Sequence, residues 1–311
     1  MTIPKRDRYR GAMVGLLAGD ALGAPYETWD ILAILEDMRD RGGLVAFDYP
    51  NPWAKEFPLM VGNGMMPKGR PTDDSDHAAA LAKSIVACGG LNEADLYARL
   101  RHVVYGHVSP LWEGKAVGSG RTTRRALKPE TWEESKARPF DPDEYPSNGA
   151  LMRSAPMALY IGTEARAKEL NSFHLSTAMA RVTHRNKYAG MYTAVYVEML
   201  LDILNGEVPS IVAHKSFPAD PGKWPERGHA EFSYQTALWA FKYAEDFRDG
   251  LTKVILVGGD TDTYGAIAGG LLGAYYGIDG IPQEWRSVLK GHDVMVDLAD
   301  KLYDMAHPAS S

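Results

Sequence analysis

A chain of 311 residues, 45% hydrophobic and 24% charged, has enough apolar material for a large core and the composition of an ordinary soluble globular protein. Its formal charge of −6 without a basic block argues against a nucleic-acid or anionic-membrane surface, and no apolar run reaches the roughly 18 residues of a membrane-spanning helix. A single cysteine, Cys88, excludes an intramolecular disulfide and a cysteine-based zinc site, and reads as a buried helical thiol.

Along the chain, the first 25 residues resemble a signal peptide until Asp20 interrupts the apolar run, and no small-residue cleavage site follows. Apolar periodicity predicts helices over Arg8–Leu22, Ser75–Cys88, Glu93–Tyr105, Gly149–Leu159, Ala165–Thr183, Lys187–Asn205, Phe232–Arg248, Tyr264–Tyr276 and Glu284–Leu302. The best strand signal, Val254–Val257, is too short to define a sheet. The Pro/Gly-rich stretches Tyr49–Pro71, Lys128–Pro146 and Val208–Gly228 read as long loops. The expectation is one all-α domain over residues 1–311, cytoplasmic and monomeric.

Two of these helices carry glycine every fourth residue: Gly11, Gly15, Gly19 and Gly23 in one, Gly265, Gly269, Gly273 and Gly277 in the other. Each helical glycine costs about 0.8–1 kcal/mol relative to alanine, so a ridge of four needs a compensating contact. The spacing puts each set on one face, where another helix can approach closely, and both helices are expected deep in the bundle against each other. Acids stand at their ends: Asp20 and Glu27 at the first, Asp260 and Asp262 before the second.

Two acidic clusters open helices: Thr72–Asp76, reading TDDSD, and Gly258–Thr263, reading GGDTDT. A capped helix start explains one or two acids, which the macrodipole favours. Asp73, Asp74 and Asp76 together repel one another unless a cation or solvent offsets them. The spacing is not that of an EF-hand, and oxygen ligands without histidine or cysteine suit magnesium, manganese or calcium over zinc. Composition alone leaves two readings open, a metal site or two well-capped helices.

The ordered set GLLAGDALGAPYE, PTDDSD, SNGALMRSAPMAL, THRNKYAG and GGDTDTYGAIAGGLLGAYYGIDGIPQEW resembles the ADP-ribosylglycohydrolase family, from about Arg8 to Trp285. The resemblance implies a compact all-α fold with two magnesium or manganese ions held by Thr72, Asp73, Asp74, Asp260, Asp262 and Thr263. It implies that Glu27 lies at that site and acts as general base or acid, with Asp73 and Asp74 also serving catalysis. Ser147, Asn148 and Gly149 match the loop that wraps the diphosphate and ribose, and His184 matches a histidine near the ligand. The implied reaction is hydrolysis of the bond between ADP-ribose and an acceptor, most simply a protein side chain. The alternatives are a small-molecule or nucleic-acid linkage, or an inactive ADP-ribose-binding member. Arg153, taken alone, reads as a structural ion pair. Two departures stand out: Ser75 where threonine is more usual, and Gly118 where one family member acting on an arginine linkage carries an aspartate that positions the leaving group, which weighs against an arginine-linked substrate unless Asp20, Asp76 or a loop acid substitutes.

Overall fold

A computed structural model describes residues 3–50, 64–139, 141, 143–210 and 228–308. The chain is all-α. In order the helices are α1 (Lys5–Gly23), α2 (Ile31–Arg41), α3 (Asp73–Cys88), α4 (Glu93–Gly106), α5 (Arg121–Leu127), α6 (Trp132–Lys136), α7 (Ala155–Ile161) and α8 (Glu164–Leu170). They continue as α9 (Ser172–Arg181), α10 (Lys187–Leu204), α11 (Ala230–Tyr243), α12 (Phe247–Ile255), α13 (Thr261–Tyr276), α14 (Gln283–Arg286) and α15 (His292–Ala306). One antiparallel pair, Tyr49–Pro50 with Met65–Met66, is the sheet among the described residues. No described helix is long and apolar enough to cross a membrane.

The centre of the bundle is the pair α1 and α13. From Gly11 to Gly23 nearly every α1 residue is buried, and so is α13 from Thr261 to Ala274. The two glycine ridges face each other antiparallel: Gly11 meets Gly273, Gly15 meets Gly269, Gly19 meets Gly265, and Gly23 meets Thr261. A Cβ at any of the four α1 glycines would overlap a carbonyl oxygen of α13. Close backbone packing over four turns offsets the helix-propensity cost of the glycines through dispersion contacts and apolar burial. The expectation of mutual contact holds.

Several expected elements differ. Val254–Val257 is not a strand: Phe247, Leu251, Val254 and Ile255 recur at helical spacing, all buried, and end α12. The predicted Ala165–Thr183 helix breaks at Asn171, which adopts φ 51° and caps α9 through its side chain. Phe232–Arg248 breaks where Ala244 is extended and Asp246 caps α12. Glu284–Leu302 is interrupted between Arg286, where α14 ends, and Gly291 (φ 90°), which precedes α15. Gly149–Leu159 is a 3-10 turn at Asn148–Ala150, then α7, with Pro156 in its first turn. The helix α2, capped by Asp30, was not foreseen, and α6 falls inside an expected loop. Most of the other two expected loops lies outside the described residues. Cys88 is exposed at the end of α3 rather than buried.

Candidate active site

The antiparallel register of the glycine ridges sets the site. It brings the C-terminal end of α1 to the N-terminal end of α13, so the acids at those two ends meet. Thr261 Oγ1 donates to the Gly23 carbonyl at 2.8 Å. Just beyond, Thr28 N–H donates to Gly259 O (2.6 Å) and Gly259 N–H to Trp29 O (3.1 Å), which fixes Glu27 beside the GGDTDT turn. Glu27, Asp260 and Asp262 each present a carboxylate oxygen, and these three atoms lie within 4.8 Å of one another.

The start of α3 completes the acidic wall. Thr72 caps the helix, and Asp73 and Asp74 follow, both buried. Behind them lies Asp20 of α1, wholly buried, accepting from Thr72 N–H at 3.0 Å, Thr72 Oγ1 at 2.9 Å, Ser75 N–H at 3.0 Å and Ser75 Oγ at 2.5 Å. Asp20 thus caps a helix 52 residues away in sequence. Asp76 points elsewhere and accepts from Ser109 Oγ at 2.5 Å. The hydroxyl at position 75, retained in the serine, is the group that bonds Asp20.

Burial pushes the Asp73 carboxyl up to about 7, with the negative Asp20 and Asp260 adding to it and the Ser119 N–H pulling it back. Asp74 and Asp262 are raised well above the usual carboxylate range, by burial first and then by neighbouring carboxylates. Asp260 is raised by burial and restrained by Asn148. Asp74 Oδ1 is buried without a hydrogen bond. A wall of mutually repelling, all-oxygen donors with an orphaned carboxylate atom suits a hard divalent cation.

The opposite wall is the turn Ser147–Asn148–Gly149. Asn148 Nδ2 donates to Ser233 Oγ (2.9 Å) and to Asp260 Oδ2 (2.7 Å), tying this turn to the acidic wall. The edge of the His184 ring lies against Gly149: a Cβ there would stand 2.9 Å from His184 Cε1 and 3.1 Å from Thr123 Oγ1. Arg153, fully buried, donates to Gly149 O at 2.8 Å and to Thr183 Oγ1 at 2.7 Å, and Thr183 Oγ1 lies 2.8 Å from His184 Nδ1. Arg153 is structural, as expected, but it holds a carbonyl and a hydroxyl instead of an acid. Burial lowers it to about 9, and burial with the nearby Arg153 charge pushes His184 well below its usual range, so the imidazole is neutral at pH 7.

These walls enclose one cavity of about 670 Å³. Glu27, Asp73, Asp74, Asp260, Asp262 and Thr263 line it together with Ser147, Asn148, Gly149 and His184. Thr72, expected beside them, is fully buried and does not line the cavity, with its Oγ1 3.1 Å from Asp74 Oδ2. The lining also includes the segment Gly118–Arg124. Gly118 has φ 89°, and a Cβ there would overlap Asp73 Oδ1, so this glycine is the condition for the loop to close over the acidic wall. Asp20 was visible in sequence as an acid interrupting an apolar stripe, but its partner α3 was not.

Comparison with known proteins agrees with the motifs. The family model described as ADP-ribosylglycohydrolase matches residues 1–311. The ADP-ribosyl-[dinitrogen reductase] glycohydrolase of Rhodospirillum rubrum is 30% identical over 93% of this chain and 92% of its own. The ADP-ribosylarginine hydrolase Tri1 of Pseudomonas putida (strain GB-1) is 28% identical over 96% of this chain and 79% of its own. A solved ADP-ribosylglycohydrolase-related protein complex superposes with a TM-score of 0.69 at 29% identity, covering 97% of this chain and 99% of the other.

Proposed function

Because the chain belongs to the ADP-ribosylglycohydrolase family, we propose that it hydrolyses the glycosidic bond between ADP-ribose and a protein side chain, with two divalent cations, magnesium or manganese, at the acidic wall of the cavity. We read residues 1–311 as one domain carrying this activity. The observation that supports it best is the pairing, in one cavity, of a repelling carboxylate wall with a glycine turn and a neutral imidazole.

The residues present fit the cations: hard oxygens from Asp73, Asp74, Asp260 and Asp262, hydroxyls from Thr72 and Thr263, and the orphaned Asp74 Oδ1. When bound, the ions supply positive charge that holds ribose hydroxyls and orients water. Ser147, Asn148 and Gly149 hold the diphosphate and ribose through groups other than the Ser147 and Asn148 N–H, which donate to Tyr145 O (2.7 Å) and Gly228 O (3.0 Å). His184 offers that turn a neutral polar edge that adds no charge. Between them the sugar is held with its C1 toward Glu27.

In the reaction the bond from C1 to the acceptor nitrogen or oxygen breaks and a bond from C1 to water oxygen forms. Positive character grows on the sugar ring as the acceptor leaves, and the carboxylate wall stabilises it. Glu27 takes the proton from water or passes one to the leaving atom, so that the acceptor departs protonated.

The test is release of ADP-ribose from arginine-linked and serine-linked ADP-ribosyl peptides, with magnesium or with chelator. Hydrolysis that requires the divalent ion is expected. Full activity after exhaustive chelation would sink the metal reading, and no hydrolysis of either peptide, with no thermal shift by ADP-ribose, would sink the enzyme reading.

A further inference from the structure

We infer that Asp20 is a positioning residue that makes Thr72 and Asp74 available to a cation, by taking the hydroxyl hydrogen that would otherwise bond them to each other. The inference rests on the cation site proposed above.

Thr72 Oγ1 has one hydrogen and two carboxylates within reach: Asp20 Oδ1 at 2.9 Å and Asp74 Oδ2 at 3.1 Å. Both contacts lie within hydrogen-bond reach, and in this proposal the shorter one, to Asp20, holds the hydrogen. Asp20 is suited to keep it. All its other neighbours in this bond set are donors: the N–H groups of Thr72 and Ser75 and the Ser75 hydroxyl. In its ionised form a carboxylate facing these four groups accepts from all of them. The consequence falls on the other face of Thr72. With its hydrogen turned back to Asp20 and one lone pair accepting the Asp74 N–H at 3.4 Å, Thr72 Oγ1 keeps a second lone pair, and both oxygens of Asp74 remain acceptors, one of them already orphaned.

If Asp20 could not accept, the hydroxyl would turn to Asp74 Oδ2, and two candidate ligands would be spent on one internal hydrogen bond. An amide in place of Asp20 does this directly. Its NH2 group faces either Ser75, where it opposes the Ser75 N–H, or Thr72, where it donates to Oγ1 and turns the hydroxyl hydrogen onto Asp74. Asp20 therefore acts through Thr72 without touching the ion, in the way outer-shell partners set the orientation of ligands.

The experiment is Mn2+ titration of the purified full chain, read by electron paramagnetic resonance of the free ion, for wild type, Asp20→Asn, Thr72→Val and the double variant. Each single variant is expected to weaken Mn2+ binding about ten-fold or more, the range for outer-shell partners. The double variant should bind no worse than the weaker single, because both changes act through one oxygen. Independent losses that multiply in the double variant would show that Asp20 works by another route and overturn the inference. So would an Asp20→Asn protein that is folded and binds Mn2+ like wild type. Thr72→Val keeps the backbone N–H that bonds Asp20 and is close to isosteric, so its binding is readable even if Asp20→Asn does not fold; wild-type affinity in Thr72→Val overturns the inference on its own. Failure of the wild-type protein to bind Mn2+ would instead remove the cation site and this inference with it.

Discussion

Gly19 of α1 and Gly265 of α13 meet backbone to backbone: a Cβ on either would overlap the carbonyl oxygen of the other. That contact fixes how far α1 can slide along α13, and so where Asp20 and Glu27 stand relative to Asp260 and Asp262. Gly265→Ala is therefore expected to cost about 3 kcal/mol or more of unfolding free energy, at the upper end for overpacking because the obstacle is backbone. Gly120→Ala, where a Cβ meets nothing within 4 Å and φ is −59°, should cost about 1 kcal/mol or less. Equilibrium urea unfolding of the two variants checks the contrast.

Gly118→Ala tests the loop over the acidic wall. At φ 89° an L-residue costs about 1–2 kcal/mol, and the added methyl collides with Asp73 Oδ1. A modest loss of stability with a larger loss of magnesium affinity is expected, measured by calorimetric titration. Unchanged magnesium affinity would show that Asp73 can move aside without consequence.

Asp74→Asn removes one charge from the wall at nearly constant volume. Since burial and the negative Asp20 and Asp73 raise the Asp74 carboxyl, the metal-free variant should be at least as stable as the metal-free parent. The parent should gain about 2.7 kcal/mol at a magnesium concentration a hundred times its Kd, and the variant should gain little at the same concentration. Thermal melts with and without magnesium give both numbers.

The pH dependence of the metal-free protein follows from the same groups. Asp73, at about 7, and Asp20, at about 6, lie above their unfolded value of 3.8, so between these limits the folded state holds more protons than the unfolded state. Their contribution to stability is complete below about pH 4 and is lost as pH rises through about 6 to 7. Bound magnesium reverses the trend, because the ion competes with those protons and binds more tightly as pH rises. Melting temperatures across that range, with chelator and with magnesium, should slope in opposite senses; parallel slopes would place the cation elsewhere.

Much of this architecture was legible in the sequence because it is written in local terms. The all-α class followed from apolar periodicity, and the mutual packing of α1 and α13 followed from glycines repeating every fourth residue. The expected site residues came from the family resemblance that the short motifs carry, and all of them but Thr72 line the cavity. What failed was also local in origin. The breaks at Asn171 and between Arg286 and Gly291 lie inside apolar patterns that continue across them, and the left-handed backbone at Asn171 and Gly291 marks where the next helix begins.

What the tertiary structure alone decided is which acids share a site and which serve it from behind. The residues alone placed Asp20, Asp73, Asp74 and Asp76 near helix ends, and the family resemblance singled out Asp73 and Asp74 without saying what Asp20 and Asp76 do. The fold turned Asp76 toward Ser109, set Asp73 and Asp74 into the cavity, and buried Asp20 behind Thr72 and Ser75. It also gave Arg153 a carbonyl and a hydroxyl to hold, and made Gly118 the gap through which a loop reaches Asp73. The physical reason is one of range. Helical periodicity and capping act over a few neighbouring residues and are visible in order, whereas the direction of a hydroxyl hydrogen depends on an acceptor 52 residues away, brought there by the register of two glycine ridges.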